Sequence, residues 1–508
     1  MDAVLTAPKV NIETRLARGY LFLMLLGLPL VFWNGFFDIT EVKTGYFALL
    51  SVIYLMGRLV CFIQFYERED RPRLPRRAGE IACLALCVLV LLSSAASGRF
   101  WESLEGSRGR WQGAAMFWVY AALYFSFRGT SIREKDVLIP LGAGLLLSGL
   151  AAAANHLGWD VLGLESELIP FDRGRYISTL GNINFAGAYI SLALPIILWY
   201  FVNAESRGDG ALWAAVAAVG LCAAVAVRSE STLLGLGAAL AAMPLLLRRR
   251  ERALPRFGLL LAGTAVLTQM YGRLAQWRGV VLSSLTRILL HPAVFALLFL
   301  IGSGWYILLM KKPSLIRGFV RFYAIIVGCA MALLALALVL FNTVLASAEL
   351  GALGRWLHFS DAWGTDRVMV WKYCLGLFGE FPLWEKLLGG GCGVLALLDV
   401  QRRIFPDAVL DAAHCEYLQI LLNWGLLGLA AYLTWLIAGA REAVKNGSSL
   451  SLALFAGLFG YAVQAGVNIA QAPGICLFSI LFAVQHGVSG GKSAPITEKT
   501  GEMYANFH

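Results

Sequence analysis

The stretch FYAIIVGCAMALLALALVLF, residues 322–341, carries no charge and is long enough by itself to cross the apolar core of a lipid bilayer. Similar apolar runs recur along the whole chain. Of the 508 residues, 59% are hydrophobic and 15% are charged, and the mean hydropathy is +0.69. This composition predicts an all-α polytopic membrane protein, because a helix satisfies its own backbone polar groups where water is absent.

We predict about 12–14 transmembrane helices from the apolar runs. The fourteen candidate spans lie near residues 20–36, 45–66, 79–97, 112–127, 136–156, 185–203, 211–227, 232–247, 257–272, 291–310, 319–345, 417–438, 450–470 and 474–490. The first run is preceded by Arg15 and Arg18 and lacks a small-residue cleavage site, so we expect it to remain as a span.

Lysine and arginine residues predict the orientation. If both termini are cytoplasmic, the dense basic clusters at 68–77 and 248–252 fall on the cytoplasmic side, as the positive-inside rule requires. The net charge of +10 is then mostly topological. We expect these short basic loops to contact anionic lipid and not nucleic acid.

One long hydrophilic interruption, residues 346–413, separates the late spans and falls on the extracytoplasmic side in this topology. Several of the arginines predicted on that side lie in this segment and in the loops before it. Any single one could be ordinary solvated surface, but the set favours an anionic substrate, because the guanidinium group binds phosphate or carboxylate through two parallel hydrogen bonds.

Cysteine and histidine residues point to no metal site. Most of the nine cysteines lie in spans, and Cys374, Cys392 and Cys415 near the long outer segment form no evident pair. The six histidines are scattered without the spacing of metal ligands. We therefore expect chemistry without a metal or another cofactor.

Two patterns stand out within the outer segment. Asp366 begins a predicted helix on which Arg367 and Trp371, four residues apart, share a face; a membrane-surface amphipathic helix would give the same pattern. The run GGGCG at 389–393 predicts a flexible turn. The single large late loop gives the chain no repeat symmetry, which favours an enzyme over an alternating-access transporter.

Three blocks, in this order and at these separations, resemble the signature blocks of the O-antigen ligase and Wzy-type polymerase superfamily. They are STLGNINFAG at 178–187; Arg367 and Trp371 followed by FPL at 381–383 and LGGGCG at 388–393; and AHCEYLQ at 413–419 followed by WGLLG at 424–428. The resemblance covers about residues 175–480. Members of that family are membrane glycosyltransferases with a GT-C-like helical fold, which use polyprenyl-diphosphate-linked glycans and need no metal.

The resemblance implies an organisation of the chain and shows two departures. It implies N-terminal helices over 1–170, a ligase/polymerase core over 171–345, a catalytic loop over 346–416, C-terminal helices over 417–490 and a cytoplasmic tail over 491–508. Cys415 follows His414 where the family commonly has asparagine. Arg228 precedes Ser229, and Glu230 follows it, where the family commonly has a Ser-Arg pair.

His414 is the candidate catalytic base, because a neutral imidazole with an ordinary pKa of about 6.5 can accept a proton from an acceptor hydroxyl near neutral pH. Its place at the boundary between loop and span is where a lipid-borne phosphate would lie. Arg367 and Arg175 are the candidates for diphosphate binding, and Arg228 is a third.

Four further residues are candidate contacts to substrate or to the base. Asn182 and Asn184 either hold the turn before the span at 185–203 or contact a sugar. Asp411 and Glu416 could orient the imidazole of His414. We expect Asp411 to do so, because Glu416 would point elsewhere on a helix.

The residues and the resemblance together predict a metal-independent inverting glycosyltransferase in the bacterial inner membrane, acting on its extracytoplasmic face. The donor would be an undecaprenyl-diphosphate-linked glycan, and the acceptor a glycan or lipid A core hydroxyl. A protein O-oligosaccharyltransferase and a lipid-linked glycan flippase or other transporter remain alternatives. A transporter should place charges in mid-span, whereas here Arg58 is the main such residue and lies near a span end.

Overall fold

The computed structural model describes residues 3–64, 74–107, 109–166, 168–169, 172–250, 252–345, 351–397 and 410–490. The predicted tail 491–508 and most of the basic cluster 68–77 lie outside these residues. The described chain is almost entirely helical. Its helices are α1 Ala3–Leu30, α2 Ile39–Gln64, α3 Ala78–Ala96, α4 Phe100–Glu105, α5 Ala114–Ser126, α6 Glu134–His156, α7 Ile183–Val202, α8 Arg207–Ala226, α9 Glu230–Leu246, α10 Ala253–Trp277, α11 Ser284–Leu289, α12 Pro292–Lys311, α13 Ile316–Asn342, α14 Gly351–Leu357, α15 Trp363–Glu380, α16 Leu383–Leu388, α17 Val394–Leu397, α18 Glu416–Asn446, α19 Ser449–Ala465 and α20 Ala472–Gly490.

The expectation of an all-α polytopic membrane protein is confirmed. In the described ranges, nine helices are long and apolar enough to cross a membrane, and three shorter apolar helices, α5, α9 and α19, accompany them. Each of the fourteen predicted spans coincides with a helix. The two strands, β1 Tyr176–Ile177 and β2 Gly181–Asn182, form one short antiparallel ladder that leads into α7.

Helix α7 is the centre of the bundle. Of its most apolar 18-residue window, 89% is buried, and it packs against α8, α9, α19 and α20. Its sequence INFAGAYISLALPIILWYFV is apolar on every face, which suits a helix covered on all sides by other helices or by lipid. The first signature block therefore begins at the best-packed element of the molecule.

Loops predicted to share a side of the membrane contact one another. Arg110 pairs with Asp411, and Arg228 donates to the carbonyl oxygen of Gly174; all four residues belong to segments predicted on the outer side. We call this the site end. At the opposite end, Glu80 forms an ion pair with Arg128 and lies 3.3 Å from the imidazole of His486, which itself lies 3.6 Å from Glu442. We call this the ion-pair end, and its residues belong to segments predicted on the inner side.

Helix α18 is two helices and not the single predicted span 417–438. Gly425 has φ +67° and ψ −168°, which breaks the helix there. In a straight helix Glu416 and Tyr432 would be about 24 Å apart along the axis. The hydroxyl of Tyr432 instead donates to the carboxylate of Glu416 at 2.6 Å, so the two halves fold back on each other.

The outer segment is mostly helical in its described part, through α14 to α17. The run at 389–393, predicted as a flexible turn, is packed against the break in α18. The amide of Gly390 donates to the carbonyl oxygen of Leu422 at 2.9 Å, and the amide of Gly391 donates to that of Asn423 at 3.1 Å. A Cβ on Gly389 would lie 2.2 Å from the carbonyl oxygen of Asn423, so only glycine permits this approach.

Candidate functional site

His414 lies in the short turn that leads into α18, half-buried, with a left-handed backbone at φ +51°. Burial and, to a smaller extent, the positive charges of Arg367 and Arg110 together lower the pKa of its imidazole to about 4, and the negative charge of Asp411 opposes that shift. Three predicted site residues, His414, Arg367 and Asp411, therefore lie close enough to influence each other electrostatically. Arg110, which was not a predicted site residue, contributes a further charge from the loop after α4.

Arg367 begins the regular part of α15, immediately after three left-handed residues, 364–366. The helix was predicted to start at Asp366, whose left-handed backbone places the start of regular helix one residue later. One terminal nitrogen of Arg367 donates to the carbonyl oxygen of Gly364 at 2.8 Å, whereas its buried Nε has no acceptor among the described residues. Burial lowers the pKa of Arg367, and the nearby carboxylate of Glu230 opposes that shift. The buried indole N–H of Trp371, on the same helix, also has no acceptor among those residues.

Asp411 is held by Arg110 and not by His414. The guanidinium group of Arg110 donates from Nε at 2.7 Å and from a terminal nitrogen at 2.9 Å, one bond to each carboxylate oxygen. The expected orienting hydrogen bond from Asp411 to His414 is thus replaced by an ion pair that leaves Asp411 an electrostatic neighbour of the imidazole. The role of Arg110 was not predicted, since nothing local relates two residues 301 positions apart.

Arg228 and Arg175 lie around the loop before α7. Arg228 has a left-handed backbone, donates to the carbonyl oxygen of Gly174, and has a buried Nε without an acceptor among the described residues. Burial lowers its pKa, opposed by the carboxylate of Glu165. The side chain of Arg175 is 53% exposed and lies 3.7 Å from Asp172. Of the two, Arg228 is the more buried cation.

Asn182 and Asn184 use their side-chain oxygens within the protein. Asn182 caps α7 by accepting from the amide of Asn184 at 2.9 Å. The side-chain oxygen of Asn184 accepts from the hydroxyl of Ser229 at 2.9 Å, and its carbonyl oxygen accepts from Asn468 at 3.3 Å. These bonds fix the turn between the strand ladder and α7, which matches the turn interpretation of the two asparagines.

Glu416 is buried at the start of α18, where its carboxylate accepts from the hydroxyls of Tyr432 at 2.6 Å and Tyr461 at 2.9 Å. Glu416 therefore does not orient His414, which agrees with the expectation that it would point elsewhere. Glu416 and Asp411 both line a cavity of about 120 Å³ between α5, α18 and α20. Its walls include Trp424 and Gln471, neither of which was predicted as a site residue.

The backbone is strained where the predicted site residues lie. Among the described residues, six non-glycine residues have positive φ, a conformation that few side chains other than Asn, Asp and His adopt. They are Trp111, Ser178, Arg228, Thr365, Asp366 and His414. Each is a site candidate or lies in or beside a segment that holds one. Strain of this kind persists only where surrounding packing enforces it, and it concentrates at functional sites.

Neither a protein-family model nor a curated protein sequence matches this chain. Within the described ranges, no three His, Cys, Asp or Glu side chains cluster as metal ligands would. Cys392 accepts a hydrogen bond from the indole of Trp424 at 3.2 Å.

Proposed function

We propose that this protein is a membrane glycosyltransferase of the O-antigen ligase or Wzy-type polymerase kind, which moves a glycan from a polyprenyl-diphosphate donor to an acceptor hydroxyl. The observation that carries the proposal is the electrostatic cluster of His414 with Arg367 and Arg110 at the site end, where Arg367 offers an unpartnered buried N–H. A base beside phosphate-binding cations is what the reaction requires. The family resemblance and a GT-C-like arrangement of the helices belong to the same proposal.

In the proposed reaction, the acceptor oxygen forms a bond to the anomeric carbon while the bond from that carbon to the diphosphate oxygen breaks. The acceptor proton passes to the imidazole of His414, and the electron pair leaves with the diphosphate. Arg367 and Arg228 stabilise the charge that grows on the leaving diphosphate. A single displacement of this kind inverts the anomeric configuration.

The electrostatics of His414 give the donor a second role. An imidazole with a pKa of about 4 is a weak proton acceptor, and positive charge from Arg367 and Arg110 contributes to that low value. A bound diphosphate would offset these cations and raise the pKa of the imidazole toward its ordinary value of about 6.5. The base would then become effective only when the donor is in place.

Ligase, polymerase and protein O-oligosaccharyltransferase share this chemistry and differ in the acceptor. A flippase or transporter would need charged groups along a path through the middle of the bundle. The buried carboxylate of Glu80 is engaged by Arg128 and His486 at one end of α3 and lines no such path. This arrangement favours the transferase.

The test is a reconstitution of the purified full-length protein with a fluorescent undecaprenyl-diphosphate glycan and candidate acceptors: lipid A core, a second lipid-linked glycan, and a serine-containing peptide. We expect a new glycosidic bond to one acceptor, together with release of undecaprenyl diphosphate. Movement of intact donor between leaflets, with no new bond to any acceptor, would overturn the proposal.

A further inference from the structure

The cavity between α5, α18 and α20 contains a side-chain amide whose hydrogen bonds are not made within the described residues; in the same wall, the buried indole N–H of Trp435 also has no acceptor there. Gln471 is 1% exposed and lines the cavity, yet neither its amide nitrogen nor its amide oxygen has a partner among the described residues. Leaving two buried polar atoms unpaired destabilises the unoccupied protein, because each has lost its hydrogen bonds to water without gaining others. A side chain in this situation is matched to an occupant that can both donate and accept.

The other amides of the cavity wall are engaged by the protein. The oxygen of Gln112 accepts from the hydroxyl of Tyr120 at 2.7 Å. The oxygen of Gln419 accepts from the amide of Ala413 at 2.9 Å, and its nitrogen donates to Asn423 at 3.0 Å. Gln471 therefore differs from its neighbours and is not one of several unpaired amides.

The shape and walls of the cavity indicate the size of the occupant. The cavity volume of about 120 Å³ is several times the roughly 10–15 Å³ needed to hold a single water, so it admits a small ligand of about the size of one sugar ring. The rings of Phe117 and Trp424 meet edge to face at 4.9 Å in the wall. Aromatic faces suit the C–H face of a sugar ring, whereas hydroxyls on the ring edge both donate and accept.

The charges argue against a phosphate in this cavity. In the lining that the structure describes, the one cation is Arg110, and its guanidinium group is already paired through two bonds with Asp411. The carboxylate of Glu416 lies in the same wall. Both carboxylates and the one cation of the described lining already have partners within the protein, so the lining offers no free cation to a phosphate and fits a neutral ligand better.

We infer that the cavity is a subsite for a neutral pyranose of the acceptor, held by the amide of Gln471 and stacked on the aromatic wall. Asp411 and Arg110, which both influence His414, line the cavity, whereas Arg367 is not among the lining residues. The acceptor sugar would thus approach the base from the Arg110 side while the diphosphate lies with Arg367. The assignment to the acceptor rests on the proposed function; the binding of a neutral sugar does not.

Saturation-transfer NMR on the full-length protein in nanodiscs tests the inference without requiring turnover. The probes are the methyl glycosides of glucose, galactose and N-acetylglucosamine, with farnesyl diphosphate as the anionic prenyl probe. We expect one glycoside to bind the wild type and to bind Gln471→Leu at least tenfold more weakly, with farnesyl diphosphate binding unchanged. Gln276→Leu, at an exposed position of α10, is the matched control and should bind like the wild type.

Several results would overturn the subsite: no glycoside binds the wild type, the glycoside binds Gln471→Leu equally well, or farnesyl diphosphate loses affinity in that variant. Thermal unfolding of Gln471→Leu guards against misfolding, and we expect no loss of stability, since leucine removes two unpaired polar atoms. If a glycoside binds through Gln471 but the protein transfers no glycan, the subsite stands and the proposed function fails. If transfer occurs with unaltered acceptor KM in Gln471→Leu, the reverse holds.

Discussion

The two ends of the bundle differ in how their charged side chains are paired. At the ion-pair end, the carboxylate of Glu80 is fully buried and lies 3.3 Å from both Arg128 and His486. The ring of His486 also stacks on Tyr124, with centroids 4.0 Å apart. None of the six left-handed non-glycine residues among the described ones lies there.

At the site end, cations lie near a base and the backbone is strained. Buried polar atoms without a hydrogen-bond partner among the described residues occur at both ends, on Glu80 and His486 at the ion-pair end and also at the site end. Arg367 and Arg228 each have such an Nε, and the backbone of His414 is left-handed. Charges that are matched within the fold stabilise it, whereas charges left partly unmatched are available to a ligand. The arrangement of partners around the charges, and not the number of charges, therefore distinguishes the site end from the ion-pair end.

The largest expected effect is at His414. His414→Ala should reduce glycan transfer by about 100- to 10,000-fold, the usual contribution of a general base, while donor binding persists through the arginines. Single-turnover transfer and donor binding, measured separately, check this. His291→Ala, a histidine that caps α12, is the control and should keep activity. If His414→Ala binds donor poorly but turns over normally at saturation, His414 is not the base.

The ion-pair end should respond in stability and not in chemistry. Glu80→Leu leaves Arg128 and His486 without their shared carboxylate, and loss of one partner of a buried ion pair costs about 3 kcal/mol or more. We expect a lower unfolding temperature in detergent and normal transfer per folded molecule. Glu102→Leu, at an exposed position, should change neither. A Glu80→Leu protein that is stable but inactive would erase the distinction between the two ends.

Arg367→Lys keeps the charge but loses the planar fork, so transfer should fall about tenfold or more, equivalent to about 1.4 kcal/mol of transition-state stabilisation. Arg175→Lys should lose less, because the side chain of Arg175 is half exposed. Values of kcat/KM for the two variants at equal expression make the comparison. Near-normal activity in Arg367→Lys would remove this residue from the diphosphate site.

The smallest expected effect is a shift in pH dependence. The neutral form of His414 is the active base, so activity should fall as pH drops through its pKa, which is about 4 in the free protein. The acid limb of kcat/KM, which reports the free protein, should therefore lie below the acid limb of kcat, which reports the donor complex. Arg110→Gln removes a cation that lowers this pKa and should move the kcat/KM limb upward. Coincident limbs in the wild type would contradict coupling between donor and base.

The sequence predicted the membrane helices because an apolar run of this length is typical of a helix that crosses a bilayer, and each of the fourteen runs overlaps a helix. It predicted His414 and Arg367 as site candidates because both lie in local blocks. It did not predict the partner of Asp411, since Arg110 lies 301 positions away, nor Gln471, which reads as an ordinary polar residue before a span. The break in α18 was missed because Gly425 resembles any glycine tolerated within an apolar helix.

The contact between Gly389 and the break in α18 is reciprocal: a Cβ on Gly425 would lie 2.3 Å from the carbonyl oxygen of Leu387. Two chain segments thus meet main chain to main chain, with no side chain between them to absorb movement. These main-chain contacts hold the outer segment in a fixed position against the first half of α18, which follows the turn that carries His414. If the proposed function holds, substitutions of the surrounding side chains would change acceptor recognition without moving His414, whereas a side chain at either glycine would displace both segments.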